Sequence, residues 1–154
     1  IARDPALSPR GPFSAELWLK PKPEMADAET TMLLDCNYYF NTRDLDRANT
    51  GYAFFLKRRA DGLRPRVILG LGDRTVDYTG QPVKLQAGTW HHLGFAYDGV
   101  GRVTMYLDGR QIGGGQTGAG PIAASGHPLI IGGRVGSSHS GCAGFIDEIR
   151  LAGE

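Results

Sequence analysis

Apolar and polar residues alternate with a period of two along much of the chain, which is the pattern of half-buried β-strands. In FSAELWLK, one face carries Phe13, Ala15, Leu17 and Leu19, and Trp18 lies on the opposite face. The apolar face is expected to pack into a core. Trp18 then either lines an open sheet surface or is covered by a loop, and we favour the covering loop because large rings are usually buried.

Similar strand patterns recur about every ten residues, separated by glycine, proline and Asp-Gly turn signals. No segment shows sustained helical spacing with caps. The predicted class is therefore all-β, a sandwich or barrel. The remaining predicted strands are TTMLLDCNYYF, GYAFFLKR, RPRVILGLGD, RTVDYTG, WHHLGFAYD, RVTMYLDG, RQIGG, HPLIIGG and FIDEIRL, with a loose glycine-rich connection after RQIGG.

The segment GTWHHLGFAYDG contains two adjacent histidines, which at first suggest a metal or reaction centre. Side chains of neighbouring strand residues point to opposite faces, so His91 and His92 cannot jointly bind one metal or substrate. His92 is expected to share a face with Trp90, and the large Trp90 ring is expected to seal the edge of the sandwich. Asp98 belongs to the turn that ends the strand.

Several of these motifs occur in a familiar order. GPFSAELWLKP, GTWHHLGFAYDG, GRVTMYLDGRQIG, PLIIGG and GFIDEIRL resemble laminin G-like domains of the concanavalin A-like lectin/glucanase superfamily, which has pentraxin relatives. The resemblance implies one domain over residues 1–154, built as a two-sheet antiparallel jelly roll. It also implies that the family's first strand is truncated, and that the domain is excised from a longer extracytoplasmic protein that has other domains.

The net charge and the lengths of the apolar runs limit the classes of ligand that the protein is expected to bind. Seventeen basic and sixteen acidic residues give a net charge of +1, which argues against general binding to nucleic acid. No apolar run is long enough for membrane insertion. The expected ligand is therefore a carbohydrate or a protein.

A candidate sugar site lies where one strand ends beside a charged loop, because aromatic rings with nearby amides and arginines suit sugar binding. Trp18 is a further candidate from its own strand. The candidate ligand-binding residues are Asn37, Tyr38, Tyr39, Asn41, Arg43 and Trp18.

The same loop is a candidate calcium site, since Asp44, Asp46 and Asn49 offer the oxygen ligands that calcium prefers. The resemblance to pentraxins implies calcium ligands in this region. Pentraxins have a second cluster of acidic and amide calcium ligands, and the corresponding segment here, residues 134–137, has no carboxylate. Arg43 and Arg47 compete for the same acids, so a solvated charged loop is the favoured alternative.

Asp147 is a separate metal candidate. In FIDEIRL it is expected on the same face as Phe145, Ile149 and Leu151, and an Asp among apolar neighbours needs a metal or hydrogen-bond donors. Backbone donors are the favoured alternative. Calcium is thus a possible cofactor, with no other cofactor indicated.

The two cysteines, Cys36 and Cys142, are far apart in sequence. They can form one disulfide or remain free thiols, and the sequence leaves both alternatives open.

Catalysis is not indicated. Glycoside hydrolases need two carboxylates facing one cleft, and Asp147 and Glu148 are adjacent, so they are expected to point to opposite faces. The predicted function is a non-catalytic binding or adhesion module, with carbohydrate as the leading ligand. The alternatives are a structural or protein-interaction domain beside an enzymatic domain and, more weakly, a glycoside hydrolase.

Overall fold

The computed structural model describes residues 1–2, 4–7, 9–37, 49–117, 120–134 and 141–153. Within these residues the regular structure consists of strands and two short 3-10 helices, Pro5–Leu7 and Pro23–Asp27. The all-β prediction is confirmed. The strands are β1 (Phe13–Pro21), β2 (Thr30–Asp35), β3 (Tyr52–Arg59), β4 (Gly62–Gly70), β5 (Thr75–Thr79), β6 (His91–Tyr97), β7 (Arg102–Leu107), β8 (Arg110–Gln116), β9 (Ile130–Ile131) and β10 (Gly144–Gly153).

The strands form two five-stranded antiparallel sheets in the described part of the chain. The first sheet has the order β10-β1-β6-β7-β8, and the second has the order β5-β4-β3-β2-β9. β1 therefore lies between the last strand and β6, so residues from three distant segments share each face of the first sheet. The two-sheet antiparallel sandwich is confirmed.

The core lies between the sheets. The predicted inner face of β1 is almost completely buried, from 0% exposed at Leu17 to 4% at Phe13. The Phe95 ring contacts Phe13 edge-on at 5.4 Å and Phe54 of the opposite sheet at 5.3 Å between ring centroids. Burying each large apolar side chain contributes about 1.5–3 kcal/mol, so this face fixes which side of β1 points outward.

The glycine-rich stretch after RQIGG differs from the prediction, because β8 continues as far as Gln116. Gly115 and Gln116, which follow RQIGG, pair with β7 instead of belonging to a loose connection, and they continue the pairing of Gly113 and Gly114. At Gly114, where φ is +134°, a Cβ atom would lie 2.0 Å from the Val103 carbonyl oxygen. The glycines here permit close strand pairing, which composition alone does not distinguish from a loop.

The turn between β6 and β7 is organised by Asp98. Its Oδ1 accepts hydrogen bonds from the backbone N–H groups of Val100, Gly101 and Arg102, at 2.8–2.9 Å. These bonds, with that from Arg102 the largest cause, hold the pKa of Asp98 below its usual value of 3.8. The prediction that Asp98 forms the turn is confirmed.

Asp98→Asn is expected to make stability less sensitive to acid. Because the pKa of Asp98 is lower in the folded than in the unfolded chain, its charge contributes stability above pH 3.8. That contribution is lost as the pH falls through the folded pKa, and the asparagine variant lacks it throughout. Urea unfolding at pH 7 and pH 3 should show a deficit for the variant at pH 7 that shrinks at pH 3. A deficit of the same size at both pH values would contradict this account.

Candidate functional site

Both tryptophans lie on the outer face of the first sheet, and both are open to solvent. Trp18 on β1 is 37% exposed, and Trp90, which precedes β6, is 41% exposed. The prediction that a loop covers Trp18 is wrong. Since large rings are usually buried, two exposed tryptophans on one face are an unusual feature of this surface.

A groove runs along this face in two adjoining depressions. The first has a volume of about 300 Å³ and is lined by Trp18, Trp90, Asp147 and Glu148. The second, of about 630 Å³, shares Trp18 and Glu148 with the first. We call the two together the tryptophan groove. The second depression is completed by Glu16, His92, Asp108, Gly109 and Arg150.

A β-bulge in β10 places the acids in this groove. Glu16 pairs with Arg150 and Trp18 pairs with Asp147, so β10 has one more residue than β1 over the same interval. Glu148 takes up the extra residue with a φ of +45°, a left-handed conformation that is uncommon outside glycine. Asp147 and Glu148 consequently both line the first depression.

The bulge overturns two predictions for β10. Adjacent residues point to opposite faces only in a regular strand, so the prediction that Asp147 and Glu148 face apart is wrong. Asp147 is also not on the same face as Ile149 and Leu151, which pack against the core. It is exposed, and its Oδ1 accepts the Glu148 N–H at 2.8 Å. The favoured alternative for Asp147, a backbone hydrogen bond, is what the structure has.

The two histidines lie on opposite faces of β6, as predicted. His91 is 9% exposed, and its Nε2 accepts the Gln86 N–H at 3.0 Å. This bond leaves Nδ1 as the protonated nitrogen, which donates to Asp108 Oδ2 at 3.0 Å. His91 thereby fixes the segment that leads to Trp90. Burial raises the pKa of Asp108, but hydrogen bonds from His91 and the His92 N–H outweigh it and leave that pKa below its usual value.

His92 points outward into the tryptophan groove. Its ring lies 5.2 Å from that of Trp18, between centroids, and its Nε2 is 3.3 Å from Glu16 Oε2. Arg150 is 3.8 Å from Glu16 and 3.7 Å from Glu148. The Lys20 ammonium lies 5.9 Å from the centre of the Trp90 ring. The groove thus combines aromatic surfaces with hydrogen-bonding groups of both signs.

Of the six predicted sugar-binding residues the structure describes two, Trp18 in the first sheet and Asn37 just after β2 of the second. Trp18 lies in the groove, but Asn37 is 1% exposed, and its side-chain amide donates to the Thr50 carbonyl at 2.7 Å. Asn37 therefore supports the end of β2 in the second sheet. The other predicted residues, Tyr38, Tyr39, Asn41 and Arg43, lie outside the described residues.

The calcium prediction stays a prediction. Asp44 and Asp46 lie outside the described residues, whereas Asn49 is half-buried and its backbone carbonyl accepts the Gly72 N–H at 2.7 Å. Among the residues that are described, no three His, Cys, Asp or Glu side chains are grouped so that they could hold a metal ion. Asp147 accordingly belongs to no such group of three.

Both cysteines are free thiols, so the disulfide, one of the two alternatives left open above, is not formed in the structure. Burial raises the pKa of Cys36 to about 12 and that of Cys142 to about 11. Neither thiol is therefore poised as a thiolate nucleophile near neutral pH.

Sequence reasoning missed most of the groove. It placed Trp90 and His92 on one face of their strand and Trp18 on the polar face of FSAELWLK, but it did not pair these two strands. The pairing of β1 with both β6 and β10 brings them together, and the bulge adds Asp147 and Glu148. The one usable signal was the polar face of FSAELWLK, where a tryptophan stands among charged residues.

Three solved structures illustrate what the chain is similar to. The heptameric SAP-like pentraxin of Limulus polyphemus superposes with a TM-score of 0.62 at 18% identity over 94% of this chain. Domains LG4-5 of the mouse laminin alpha1 chain superpose with a TM-score of 0.62 at 16% sequence identity over 96% of this chain. The third structure is domain 4 of AbnA, a GH43 extracellular arabinanase of Geobacillus stearothermophilus, in complex with arabinotriose. It superposes with a TM-score of 0.60 at 22% sequence identity over 95% of this chain. These likenesses show the fold.

The chain spans 65%, 38% and 62% of those three chains, respectively. No curated protein sequence matches it. In the described part of the chain, no helix has the length and apolar character needed to cross a bilayer. A laminin G-like family model, described as "Concanavalin A-like lectin/glucanases superfamily", matches residues 1–153. Because this match spans nearly the whole chain, the protein belongs to the concanavalin A-like lectin/glucanases superfamily.

Proposed function

We propose that the protein is a non-catalytic carbohydrate-binding module, and that the tryptophan groove is its binding site. The observation that carries the proposal is the exposure of Trp18 and Trp90 beside one groove that also contains carboxylates and a guanidinium. Sugar rings offer apolar faces that stack on aromatic rings and hydroxyl groups that donate to carboxylates, so this combination suits them.

The groove is open along the sheet, which favours a chain-like ligand over a small enclosed one. The two depressions share Trp18, so a glycan of several residues could lie across both. Domain 4 of AbnA, which has the same fold, is described in complex with arabinotriose. That complex supports an oligosaccharide as the ligand class for this chain.

Within the proposal, the protein does not cleave the glycan. Hydrolysis requires one carboxylic acid and one carboxylate on opposite sides of the scissile bond. Arg150 instead contacts both Glu16 and Glu148, and Asp147 is next to Glu148 in the chain. We also propose that the module belongs to an extracytoplasmic protein and acts beside other domains of it, in keeping with the family.

The proposal is tested by measuring binding of the folded protein to a panel of soluble polysaccharides and oligosaccharides. Affinity electrophoresis identifies ligands, and titration calorimetry measures their affinity. Ligand stacking on exposed rings should also shift the tryptophan fluorescence, since the chain has only Trp18 and Trp90. Binding of a glycan with a fluorescence shift, without new reducing ends during incubation, is the expected result.

Other outcomes would contradict this function. The release of reducing ends would indicate the glycoside hydrolase that was the weakest alternative. A folded protein that binds none of the panel would overturn the carbohydrate proposal and leave the protein-interaction domain as the better reading.

A further inference from the structure

We infer that the tryptophan groove discriminates by charge: it takes neutral and amino-sugar glycans and rejects glycans that carry carboxylate or sulfate groups. This inference rests on the proposed function and names the ligand class of the same site. It follows from the charges of the groove, from how they are already paired, and from the position of the two tryptophans.

The groove has an excess of negative charge. Its lining contains four carboxylates, those of Glu16, Asp108, Asp147 and Glu148, against the single guanidinium of Arg150. Lys20 adds a second positive charge beside Trp90. Counting the carboxylates, the guanidinium and the ammonium, two more negative than positive charges face the groove, although the whole chain has a net charge of +1. The excess is therefore local to this surface.

Arg150, the guanidinium in the lining of the groove, already lies beside two carboxylates. It is the partner of both Glu16 and Glu148, at 3.8 Å and 3.7 Å. A ligand carboxylate that approached Arg150 would meet these two carboxylates as well, and like charges at such distances repel. The groove accordingly lacks the free guanidinium that usually recognises carboxylate or sulfate groups.

The depression between the tryptophans is the place where a positive ligand charge would be stabilised. Asp147 lines it and is exposed, and among the described residues it makes no ion pair. An ammonium group there would gain a charge-assisted hydrogen bond with Asp147 and an attraction to the face of Trp18, whereas the Trp90 ring already has Lys20 beside it. Neutral sugars keep the stacking and the hydroxyl hydrogen bonds. Amino sugars therefore bind best, neutral sugars next and acidic sugars worst.

The test compares oligosaccharides that share a backbone and differ in charge. Suitable pairs are galactose and galacturonate oligomers, and β-1,4-glucose and β-1,4-glucuronate oligomers. Chitin and chitosan oligomers form a third pair, neutral and cationic. Dissociation constants are measured by calorimetry in 20 mM and 500 mM salt. In low salt, the acidic member should bind about tenfold more weakly than its neutral partner, and chitosan about fivefold more tightly than chitin. Both differences should shrink in high salt.

Two variants locate the effect. Asp147→Asn removes one charge but keeps an oxygen that can accept the Glu148 N–H. It should abolish most of the preference for chitosan and reduce the penalty for acidic oligomers. Asp73→Asn is the matched control, because Asp73 is an exposed acid that pairs with Arg74 in the turn between β4 and β5 of the second sheet. Its affinities should equal those of the wild type.

The possible failures can be told apart. If an acidic oligomer binds as tightly as its neutral partner, or more tightly, the charge inference is overturned while the carbohydrate function stands. The same holds if Asp147→Asn leaves the preferences unchanged. If no oligomer of any charge binds to the folded protein, the proposed function itself fails, and the inference with it.

Discussion

Arg134→Met is expected to destabilise the protein by about 3–5 kcal/mol, because it leaves a buried carboxylate without its partner. The Asp35 side chain is completely buried, and the Arg134 side chain is 14% exposed. Arg134 Nε donates to Asp35 Oδ2 at 2.7 Å, and a second bond reaches Oδ1 at 3.2 Å. The pair connects the end of β2 with the segment after β9. For a domain of this size the loss corresponds to a fall in Tm of roughly 10 °C.

The stability that Arg134→Met loses should be smaller at low pH than at neutral pH. Burial raises the pKa of Asp35, while the hydrogen bond and charge of Arg134 oppose that rise. In Arg134→Met the opposition is gone, so the folded-state pKa rises further above its usual value of 3.8. The folded variant then binds a proton more readily than the unfolded chain. The stability deficit of Arg134→Met relative to wild type should therefore shrink as the pH falls below the pKa of Asp35 in the folded variant and approaches 3.8.

Urea unfolding of three variants separates this account from a packing defect. Arg134→Met combined with Asp35→Asn should recover much of the lost stability, because no unpaired charge remains. Arg74→Met is the control, because Arg74 forms an exposed pair with Asp73, and it should cost less than about 1 kcal/mol. A double variant no more stable than Arg134→Met would show that the charge is not the cause.

The double variant Trp18→Ala, Trp90→Ala is expected to lose glycan binding by at least about 30-fold, a change of roughly 2 kcal/mol. Both rings line the first depression, so their removal takes away the aromatic surfaces on which a sugar would stack. Because about three fifths of each ring is buried, the change should also cost a few kcal/mol of stability, so binding is measured at a temperature at which melting shows the variant to be folded. Affinity is measured by calorimetry and stability by thermal melting.

Phe145→Ala provides the matched control. Phe145 is an aromatic residue of β10 that is 55% exposed but does not line either depression of the groove. Its removal should leave glycan affinity unchanged, so the comparison separates stacking in the groove from a general loss of surface aromatics. Binding that survives the double variant would place the sugar site elsewhere on the molecule, and the tryptophan groove would no longer carry the proposed function.

The sequence by itself was sufficient for the fold class and for the faces of the regular strands. The alternation in FSAELWLK identified the buried face of β1, because apolar side chains two residues apart must share a face in an extended chain. The same rule separated His91 from His92. The family resemblance, carried by motifs such as GTWHHLGFAYDG, agreed with the architecture that is observed.

Tertiary structure decided where the candidate site lies. The groove depends on β1 pairing with β6 and β10, which are distant in sequence, and strand pairing is set by the packing of the whole sandwich. It also depends on a bulge of one residue at Glu148, which reverses the facing of every later residue of β10. Alternation can be read from the chain locally, whereas a register shift exists only relative to a partner strand. For that physical reason the sequence determined the sheet surfaces of this protein, and only the fold determined which residues meet on them.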